Sequence, residues 1–216
     1  MSELILSIET GSSNCSVALS ESGNLIAEYS ANGKNLHDRL LAEFTSRILN
    51  DFKIKINMLD AIAVSSGPGS FTGLRIGVSF AKGLCFEGHP KLISVPTLTA
   101  VANNYVDYAK LYKATKIVSV IHSHKDLFYY QIFDLELNEL SGIMFDTELN
   151  LTNPLDYNCL VCSNFQFQNI TANRIDFLLS ASLIAKYGFC LYANSQFISD
   201  VDLIPVYIQE FVPKGF

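Results

Sequence analysis

The stretch Ser65-Ser-Gly-Pro-Gly-Ser-Phe-Thr-Gly-Leu-Arg-Ile-Gly77 decides the fold that the sequence predicts. Before it comes a short apolar run, Leu59 to Val64, which is typical of a buried strand. After it comes a segment of small and apolar residues, Leu74 to Phe86, which is typical of a helix and carries only Arg75 and Lys82 as charges. The sequence therefore predicts a strand, a tight glycine-rich loop and the start of a helix.

The predicted loop is open to two interpretations. Gly67 and Gly69 allow a tight turn and a close approach of other backbone atoms, and Ser70 or Thr72 can accept hydrogen bonds from the first N–H groups of the helix. A phosphate-binding P-loop ends in Gly-Lys-Ser/Thr, whereas Gly73 is followed here by leucine and arginine. The loop is therefore either a connection that binds nothing or an anion site at a helix N-terminus.

The composition of the 216 residues is that of a folded, acidic protein. Hydrophobic residues make up 49% and charged residues 17%, which suffices for a packed core in one large or two small domains. The net charge of −6 disfavours direct binding of nucleic acid, which usually needs a basic face. Five cysteines without a pairing pattern indicate a reducing compartment. Because we find neither a signal-peptide pattern nor an apolar stretch of membrane-spanning length, we expect a cytoplasmic protein without a membrane segment.

Three short strands open the chain, at Leu4 to Ile8, Cys15 to Ser20 and Leu25 to Ser30, and the hairpin signal Glu21-Ser-Gly-Asn24 joins the last two. This antiparallel start disagrees with a dinucleotide-binding fold, which begins with a βαβ unit. It is typical of an α/β protein with the actin-like ATPase fold (ASKHA, ribonuclease H-like), in which a glycine-containing turn follows the first strand.

The second half of the chain repeats the element order of the first half. Further strands are predicted at Ile117 to Ile121, Leu127 to Leu135 and Gly142 to Glu148. A helix is predicted from Arg174 to Tyr187, ending at Gly188. We therefore expect two duplicated lobes, residues 1–98 and 99–216, with a hinge near residues 96–102 and a tail that packs back on the first lobe.

The glycine-rich stretch and three other stretches of the sequence together match a family signature. The four are Ser66-Gly-Pro-Gly-Ser-Phe-Thr-Gly-Leu-Arg75, Ile5-Leu-Ser-Ile-Glu-Thr10 with Cys15-Ser-Val-Ala-Leu19, Leu36-His-Asp-Arg-Leu-Leu41, and Pro205-Val-Tyr-Ile208. In this order they resemble the TsaB (YeaZ) family, the bacterial partner subunits of the tRNA threonylcarbamoyladenosine system. The match is dense over residues 4 to 100 and thin afterwards.

The resemblance implies a non-catalytic scaffold subunit with the actin-like fold. Such a subunit pairs with the catalytic subunit TsaD, and an ATPase subunit, TsaE, joins them; the assembly transfers a threonylcarbamoyl group to adenosine beside the anticodon of tRNA. We accordingly expect no catalytic residues in this chain, contact with tRNA only through the complex, and a homodimer when the chain is alone. An ATP-dependent kinase and a metallopeptidase-like enzyme of the same fold are the alternatives.

Two turns contain the candidate residues for cofactor contact. The stretch Glu9-Thr-Gly-Ser-Ser13 occupies the place of the acidic residue and phosphate turn of the actin-like fold, with Glu9 and Thr10 as the candidates, and Gly67 and Gly69 lie in the second turn. Neither turn carries a lysine or clustered carboxylates. We therefore expect the chain alone to need no cofactor and to bind ATP weakly or not at all.

A metal site is not expected. In the catalytic relative of the family, two histidines four residues apart on one helix hold a metal, because one helical turn places both imidazoles on one face. Here His37 is followed at that spacing by Leu41. His122 and His124 lie where the family usually has Asp-Ala-Arg, and Asp126 is the best candidate for a third ligand.

The predicted partner surface combines two helices. Leu36 to Asp51 shows an apolar stripe with i, i+4 spacing, and the next helix carries Gly73, Gly77 and Ala81 on one face. Small residues let another backbone approach closely, and close packing on the chain's own sheet is the alternative explanation. The resemblance favours a partner face formed by His37, Leu41, Phe44, Gly73, Ile76, Gly77, Phe80, Ala81 and Leu84.

Overall fold

Two five-stranded sheets form the framework of the protein. The computed structural model describes residues 2–85, 89–124, 127–147, 158–167 and 172–206. Within those residues, every helix is too short or too polar to cross a membrane.

The first sheet contains the opening meander and the strand that precedes the glycine-rich loop. Its strands are β1 (Leu4–Glu9), β2 (Asn14–Glu21), β3 (Asn24–Asn32), β4 (Ala61–Gly67) and β5 (Lys91–Pro96). Their order is β3-β2-β1-β4-β5, with antiparallel pairing in the meander and parallel pairing from β1 through β5. Ser22 and Gly23 have positive φ values of 47° and 80°, so the predicted hairpin turn is present.

The second sheet repeats this arrangement. Its strands are β6 (Lys116–His124), β7 (Leu127–Phe133), β8 (Met144–Thr147), β9 (Cys159–Ser163) and β10 (Asn173–Asp176). From one edge of the sheet to the other, their order is β8-β7-β6-β9-β10. Pairing is antiparallel from β8 through β6 and parallel from β6 through β10. Because both the order and the directions match those of the first sheet, the prediction of two duplicated lobes is confirmed.

Helices cover both faces of the first sheet. The helices among the described residues are α1 (His37–Asp51), α2 (Phe71–Leu84), α3 (Thr97–Leu111) and α4 (Ala181–Ala193), with a short 3-10 turn at Ile56–Met58. Apolar residues of α1 and α2 pack on one face of the first sheet, and those of α4 pack on the other face. Helix α3 packs mainly on the second sheet.

The predicted helix from Arg174 to Tyr187 was wrong in its limits. Arg174 belongs to strand β10, and the helix runs from Ala181 to Ala193, so Gly188 lies inside it. A Cβ atom at Gly188 would lie 2.8 Å from the Cβ of Ala63 in β4. The glycine therefore serves a close contact between α4 and the first sheet, and it does not end the helix.

The first turn of α4 is bonded directly to the first sheet. The N–H of Ala181 donates to Oγ of Ser16 at 2.9 Å, and the N–H of Ser182 donates to Oε1 of Glu28 at 2.9 Å. Asn14 donates from its side-chain amide to the carbonyl of Leu179 at 3.0 Å. The first two bonds satisfy helix N–H groups that would otherwise lack partners, and all three tie the second half of the chain to the first.

The chain after α4 also returns to the first sheet. Leu203 is 1% exposed within the core shared by α1 and α2, and the N–H of Val206 donates to the carbonyl of Ser66 at 2.7 Å. The lobe limits at residues 98 and 99 stay a prediction. Tyr207 and Ile208, the second half of the last family stretch, lie outside the described residues.

Candidate functional site

The glycine-rich loop joins β4 to α2 and touches the turn between β1 and β2. Ser70 caps α2 by accepting a hydrogen bond from the N–H of Gly73 at 3.3 Å, as one of the two predicted caps. Its own N–H donates to the carbonyl of Gly11 at 2.7 Å. A Cβ atom at Gly69 would lie 2.6 Å from that same carbonyl oxygen. Glycine is therefore needed at position 69 because the two turns are in direct backbone contact.

Thr10 explains the glycines inside α2. Its Oγ1 donates to the carbonyl of Gly73 at 2.8 Å. A Cβ atom at Gly73 would lie 1.9 Å from the carbonyl oxygen of Thr10, and a Cβ atom at Gly77 would lie 2.2 Å from Oγ1 of Thr10. The stripe of small residues thus lets α2 approach the end of β1, inside the molecule.

The residues predicted to form one partner surface are separated in the structure. Gly73, Gly77, Ala81 and Leu41 are buried, so they cannot serve as exposed anchors in the isolated chain, and we correct that part of the prediction. The physical reason is the contact of α2 with Thr10 and the packing of α1 on the first sheet. The five other residues of the set are half-buried and lie in three places. His37 and Ile76 line a cavity between the two sheets, and Phe80 and Leu84 line a second cavity between α1 and α2. The ring of Phe44 stacks on that of Tyr29.

The cleft, as we name it, is a cavity of about 560 Å³ between the two sheets. On the first-sheet side it is lined by the β1–β2 turn (residues 11–13), the loop before α1 and the start of α1 (residues 33–35, 37 and 38), and the first turns of α2 (residues 70, 72, 73 and 76). The second sheet contributes His122, Ser123 and Asn164. From this set, sequence analysis named His37, Gly73, Ile76 and His122 as candidate site residues, and Ser70 and Thr72 as possible helix caps.

The four residues predicted to contact a cofactor do not line the cleft. Glu9 and Thr10 are fully buried, and the loop glycines at positions 67 and 69 contact protein atoms. The far end of the same turn, Gly11 to Ser13, forms part of the wall instead. Lys34 also lines the cleft and was missed by the sequence analysis; Gly33 beside it is a sequence signal that could have pointed there.

The groove, as we name it, runs between the C-terminal halves of α1 and α2. Its walls are formed by Ala42, Thr45, Ser46, Leu49, Asn50, Ile54, Lys55, Ile56, Asn57, Phe80 and Leu84. The two helices therefore contribute to two different concave surfaces, the cleft at their N-terminal ends and the groove toward their C-terminal ends.

His122 packs in an aromatic cluster. Its ring stacks on Phe165 with centroids 4.9 Å apart, and it lies 5.2 Å from the ring of Phe128. Its backbone N–H donates to Oδ1 of Asn164 at 2.7 Å. Asp126, named as a possible third metal ligand with His122 and His124, lies outside the described residues. Within the part of the chain that the structure describes, no cluster of three potential metal ligands occurs.

Glu9 is a fully buried carboxyl group directly behind the β1–β2 turn. Its Oε1 accepts a hydrogen bond from the N–H of Gly11. Burial raises the pKa of Glu9 to about 7, against the opposing effect of the hydrogen bond from the N–H of Gly11. Near neutral pH a large share of the molecules therefore carry a neutral carboxyl group at this position.

Gly73→Ala tests the contact between α2 and Thr10. The added Cβ would overlap a backbone oxygen, so we expect a loss of about 3 kcal/mol in the free energy of unfolding, measured by chemical denaturation. Gly83→Ala on the same helix is the matched control, because a Cβ at Gly83 would meet no atom within 4 Å. That control should gain about 0.5–1 kcal/mol. Equal effects of the two substitutions would contradict the packing described here.

Glu9→Gln tests the buried carboxyl group. Unfolded Glu9 releases its proton near pH 4.5, whereas folded Glu9 holds it to about pH 7. Between these values the folded state binds more protons, so stability falls as the pH rises, by about 3 kcal/mol for a shift of this size. We expect denaturation series across this range to show that fall in the wild type and its loss in Glu9→Gln. Exposed Glu43 provides the control, Glu43→Gln, and a slope that persists in Glu9→Gln would refute the assignment.

Comparisons of this chain with a family model and with known proteins point to the same family. The family model described as TsaD, tRNA N6-adenosine threonylcarbamoyltransferase, matches residues 24–185, which is more than half of the chain. A protein from Haemophilus influenzae named tRNA threonylcarbamoyladenosine biosynthesis protein TsaB is 30% identical over 126 residues, covering 58% of this chain and 52% of that protein. The matched region of this chain thus covers about half the length of that curated relative.

Solved structures show the same fold. YeaZ from Pseudomonas aeruginosa superposes with a TM-score of 0.76 at 22% identity, over 95% of this chain and 100% of that chain. The activator of 2-hydroxyisocaproyl-CoA dehydratase from Clostridium difficile, solved with bound ADPNP, gives a TM-score of 0.53 at 8% identity, over 89% of this chain and 97% of that one. The fold is therefore the predicted actin-like ATPase fold, and the chain belongs to the TsaB/YeaZ family of the TsaD-related proteins.

Proposed function

We propose that this chain is a non-catalytic subunit of the machinery that forms threonylcarbamoyladenosine in tRNA. It docks on a TsaD-like catalytic subunit through the groove between α1 and α2, and a TsaE-like ATPase joins the assembly. When that subunit is absent, a second copy of the chain occupies the same groove. The proposal rests on the family and on one observation, namely that the groove is concave and bounded by apolar side chains from both helices.

The groove has the composition of a protein-binding surface. Phe80 and Leu84 of α2 are only partly buried against the core, and they line the groove together with Leu49 of α1, which is itself buried. In the segment that follows α1, Phe52, Ile56 and Met58 are 41%, 39% and 52% exposed. Exposed apolar side chains grouped beside a groove are typical of interaction sites. Polar residues at the edge, such as Asn50 and Lys55, supply the rim that such interfaces usually have.

The first turns of α1 support a role without metal chemistry. Leu41 stands four residues after His37, at the place of the second metal histidine of the catalytic relative, and it is 2% exposed within the core. An aliphatic side chain packed on the first sheet cannot ligate a metal, so His37 would have to act alone. This agrees with an expected division of labour in which the TsaD-like subunit performs the transfer.

The acidic charge supports an indirect contact with tRNA. A net charge of −6 repels the phosphate backbone rather than attracting it. A basic partner would therefore hold the tRNA, while this chain orders that partner. Addition of this chain to the TsaD-like and TsaE-like subunits should restore threonylcarbamoyl transfer to tRNA. Robust ATP hydrolysis by the chain alone, or stoichiometric zinc in the purified chain, would contradict the proposal.

Ala42→Arg tests the groove as the docking surface. Ala42 is exposed on α1 and lines the groove, so arginine there adds bulk and a charge beside Lys55 without disturbing the core. We expect at least a tenfold loss of affinity for the TsaD-like subunit, about 1.4 kcal/mol, and a loss of self-association, both measured by analytical ultracentrifugation.

Ala193→Arg is the matched control for that substitution. Ala193 is also an exposed helical alanine, but it lies at the end of α4 on the opposite face of the first sheet. Arginine there should leave both associations unchanged. Binding that is equally strong in Ala42→Arg and Ala193→Arg would show that the partner docks elsewhere.

A further inference from the structure

We propose that the loss of the proton of Glu9 opens the contact between the first turn of α4 and the first sheet. We call this contact the seam, and its members are Asn14, Ser16 and Glu28 of the sheet, which hydrogen-bond to Leu179, Ala181 and Ser182. With Glu9 neutral the seam is closed, and with Glu9 ionised it admits water. The inference concerns neither the cleft nor the groove, and it does not depend on the function proposed above.

Glu9 faces the seam. In the pairing of β1 with β2, Glu9 lies directly opposite Ser16, and directly opposite residues of two strands point to the same face of a sheet. The Oγ of Ser16 accepts the hydrogen bond from the N–H of Ala181. The carboxyl group of Glu9 is therefore on the face, and beside the residue, that holds the first turn of α4.

The seam also joins the two lobes. Leu179 belongs to the apolar core on the second sheet, whereas Asn14 and Ser16 belong to β2 of the first sheet. An opening of the seam therefore loosens one connection between the lobes.

Four buried oxygen atoms on this face lack a hydrogen-bond partner among the described residues. They are Oε2 of Glu9, Oγ of Ser7, Oδ1 of Asn14 and Oγ of Ser65, and all four residues are 0% exposed. Alternation along the strands places Ser7 and Asn14 on the face of Glu9 and Ser16, and places Ser65 on the face of Ala63, which packs with α4. Water that enters the seam can bond to these oxygens. Wetting therefore costs less here than at an apolar contact.

Ionisation of Glu9 makes the closed seam unfavourable. A carboxylate offers about four acceptor positions, but among the described residues only the N–H of Gly11 donates to it. A buried anion with so few partners is costly. The β1–β2 turn is fixed by backbone bonds, from Gly33 to Ser13 at 3.0 Å and from Ser70 to Gly11 at 2.7 Å. The seam, whose bonds all depend on side chains of the sheet, therefore yields first.

The titratable groups on the neighbouring strands do not compete with Glu9 near neutral pH. On β2, burial raises the pKa of the Cys15 thiol to about 11, with the charge of Glu9 as the smaller cause, so this thiol stays neutral. On β3, Glu28 accepts the hydrogen bond from the N–H of Ser182. Glu28 thus already supplies the carboxylate that the N-terminus of α4 favours. Strand β4 presents the hydroxyl group of Ser65.

The helices packed on β1 bring no charge to Glu9. Helix α2 presents Leu74, which lies with the Glu9 carboxyl group around the position that a Cβ of Gly11 would take. Arg75 of α2 and Lys186 of α4 are exposed. Burial, and no charged neighbour, is accordingly the cause of the raised pKa of Glu9.

This pKa sets the direction of the pH effect. In the closed seam, burial holds the pKa of Glu9 at about 7, whereas contact with water returns it toward 4.5. The closed seam therefore binds the proton more tightly than the open seam does. The open share grows by up to about tenfold per unit of pH between these two values and levels off above the higher one.

Hydrogen exchange, measured by nuclear magnetic resonance on the full chain, tests the proposal. We expect the protection of the N–H groups of Ala181 and Ser182 to fall at least tenfold between about pH 5 and about pH 8, after correction for the intrinsic exchange rate. Dilute urea should not change these rates, because a local opening exposes little surface. The N–H of Leu40, which donates to the carbonyl of Leu36 in the first turn of α1, is the control and should show no such fall under the same conditions.

Glu9→Gln and Glu28→Gln identify the carboxyl group responsible. Glutamine at position 9 cannot ionise, so Ala181 should stay protected across the whole pH range. Glutamine at position 28 should weaken the protection of Ser182 several-fold at every pH and leave the pH-dependent fall at Ala181 intact. A fall that persists in folded Glu9→Gln, that vanishes in Glu28→Gln, or that appears at Gly33 and Ser70 instead of Ala181 would overturn the proposal.

A titration of the wild type decides the matter even where Glu9→Gln does not fold. The carbon-13 resonance of the Glu9 carboxyl group should titrate near the pH at which the exchange of Ala181 levels off, about 7. A midpoint near the ordinary value of 4.5 would refute the assignment.

Discussion

The contact between Thr10 and α2 is the constraint on which the first half of the structure depends. The backbone oxygen of Thr10 lies where a side chain at Gly73 would be, and its hydroxyl lies where a side chain at Gly77 would be. This contact holds α2 against the end of β1 at a distance that only glycine permits. It also brings the N-terminus of α2 beside the β1–β2 turn, where the cleft forms, and leaves the other end of the helix beside α1, where the groove forms.

The two halves of the chain have matching sheets, but the segments that connect their strands differ. Both sheets have the same strand order and directions, but the connections differ. In the first sheet α2 connects β4 to β5, whereas in the second sheet only nine residues separate β9 from β10. Helix α4 follows β10, crosses to the first sheet and packs on its far face. The first sheet therefore receives helices on both faces, and both helix N-termini at the cleft come from the first half of the chain.

The two concave surfaces share the same pair of helices. The cleft lies at the N-terminal ends of α1 and α2. The groove uses their C-terminal halves, where the half-buried Phe80 and Leu84 suit an apolar partner surface. Both helices pack on one face of the first sheet as a single core. Glu9, buried behind that unit, adds a group that titrates near neutral pH.

The sequence by itself determined the local elements and their order, because periodicity, turn residues and caps act over short distances. The meander, the hairpin at Ser22 and Gly23, the Ser70 cap and the repeat of strands were all predictable in this way. Only the tertiary structure decided which way the glycine stripe of α2 faces, because a stripe of small residues permits close approach by an internal or an external partner alike. It also decided that Gly188 lies inside a helix, that Glu9 is fully buried, and that Lys34 meets His37 at one cavity. These outcomes depend on contacts between segments far apart in the chain, which no local pattern specifies.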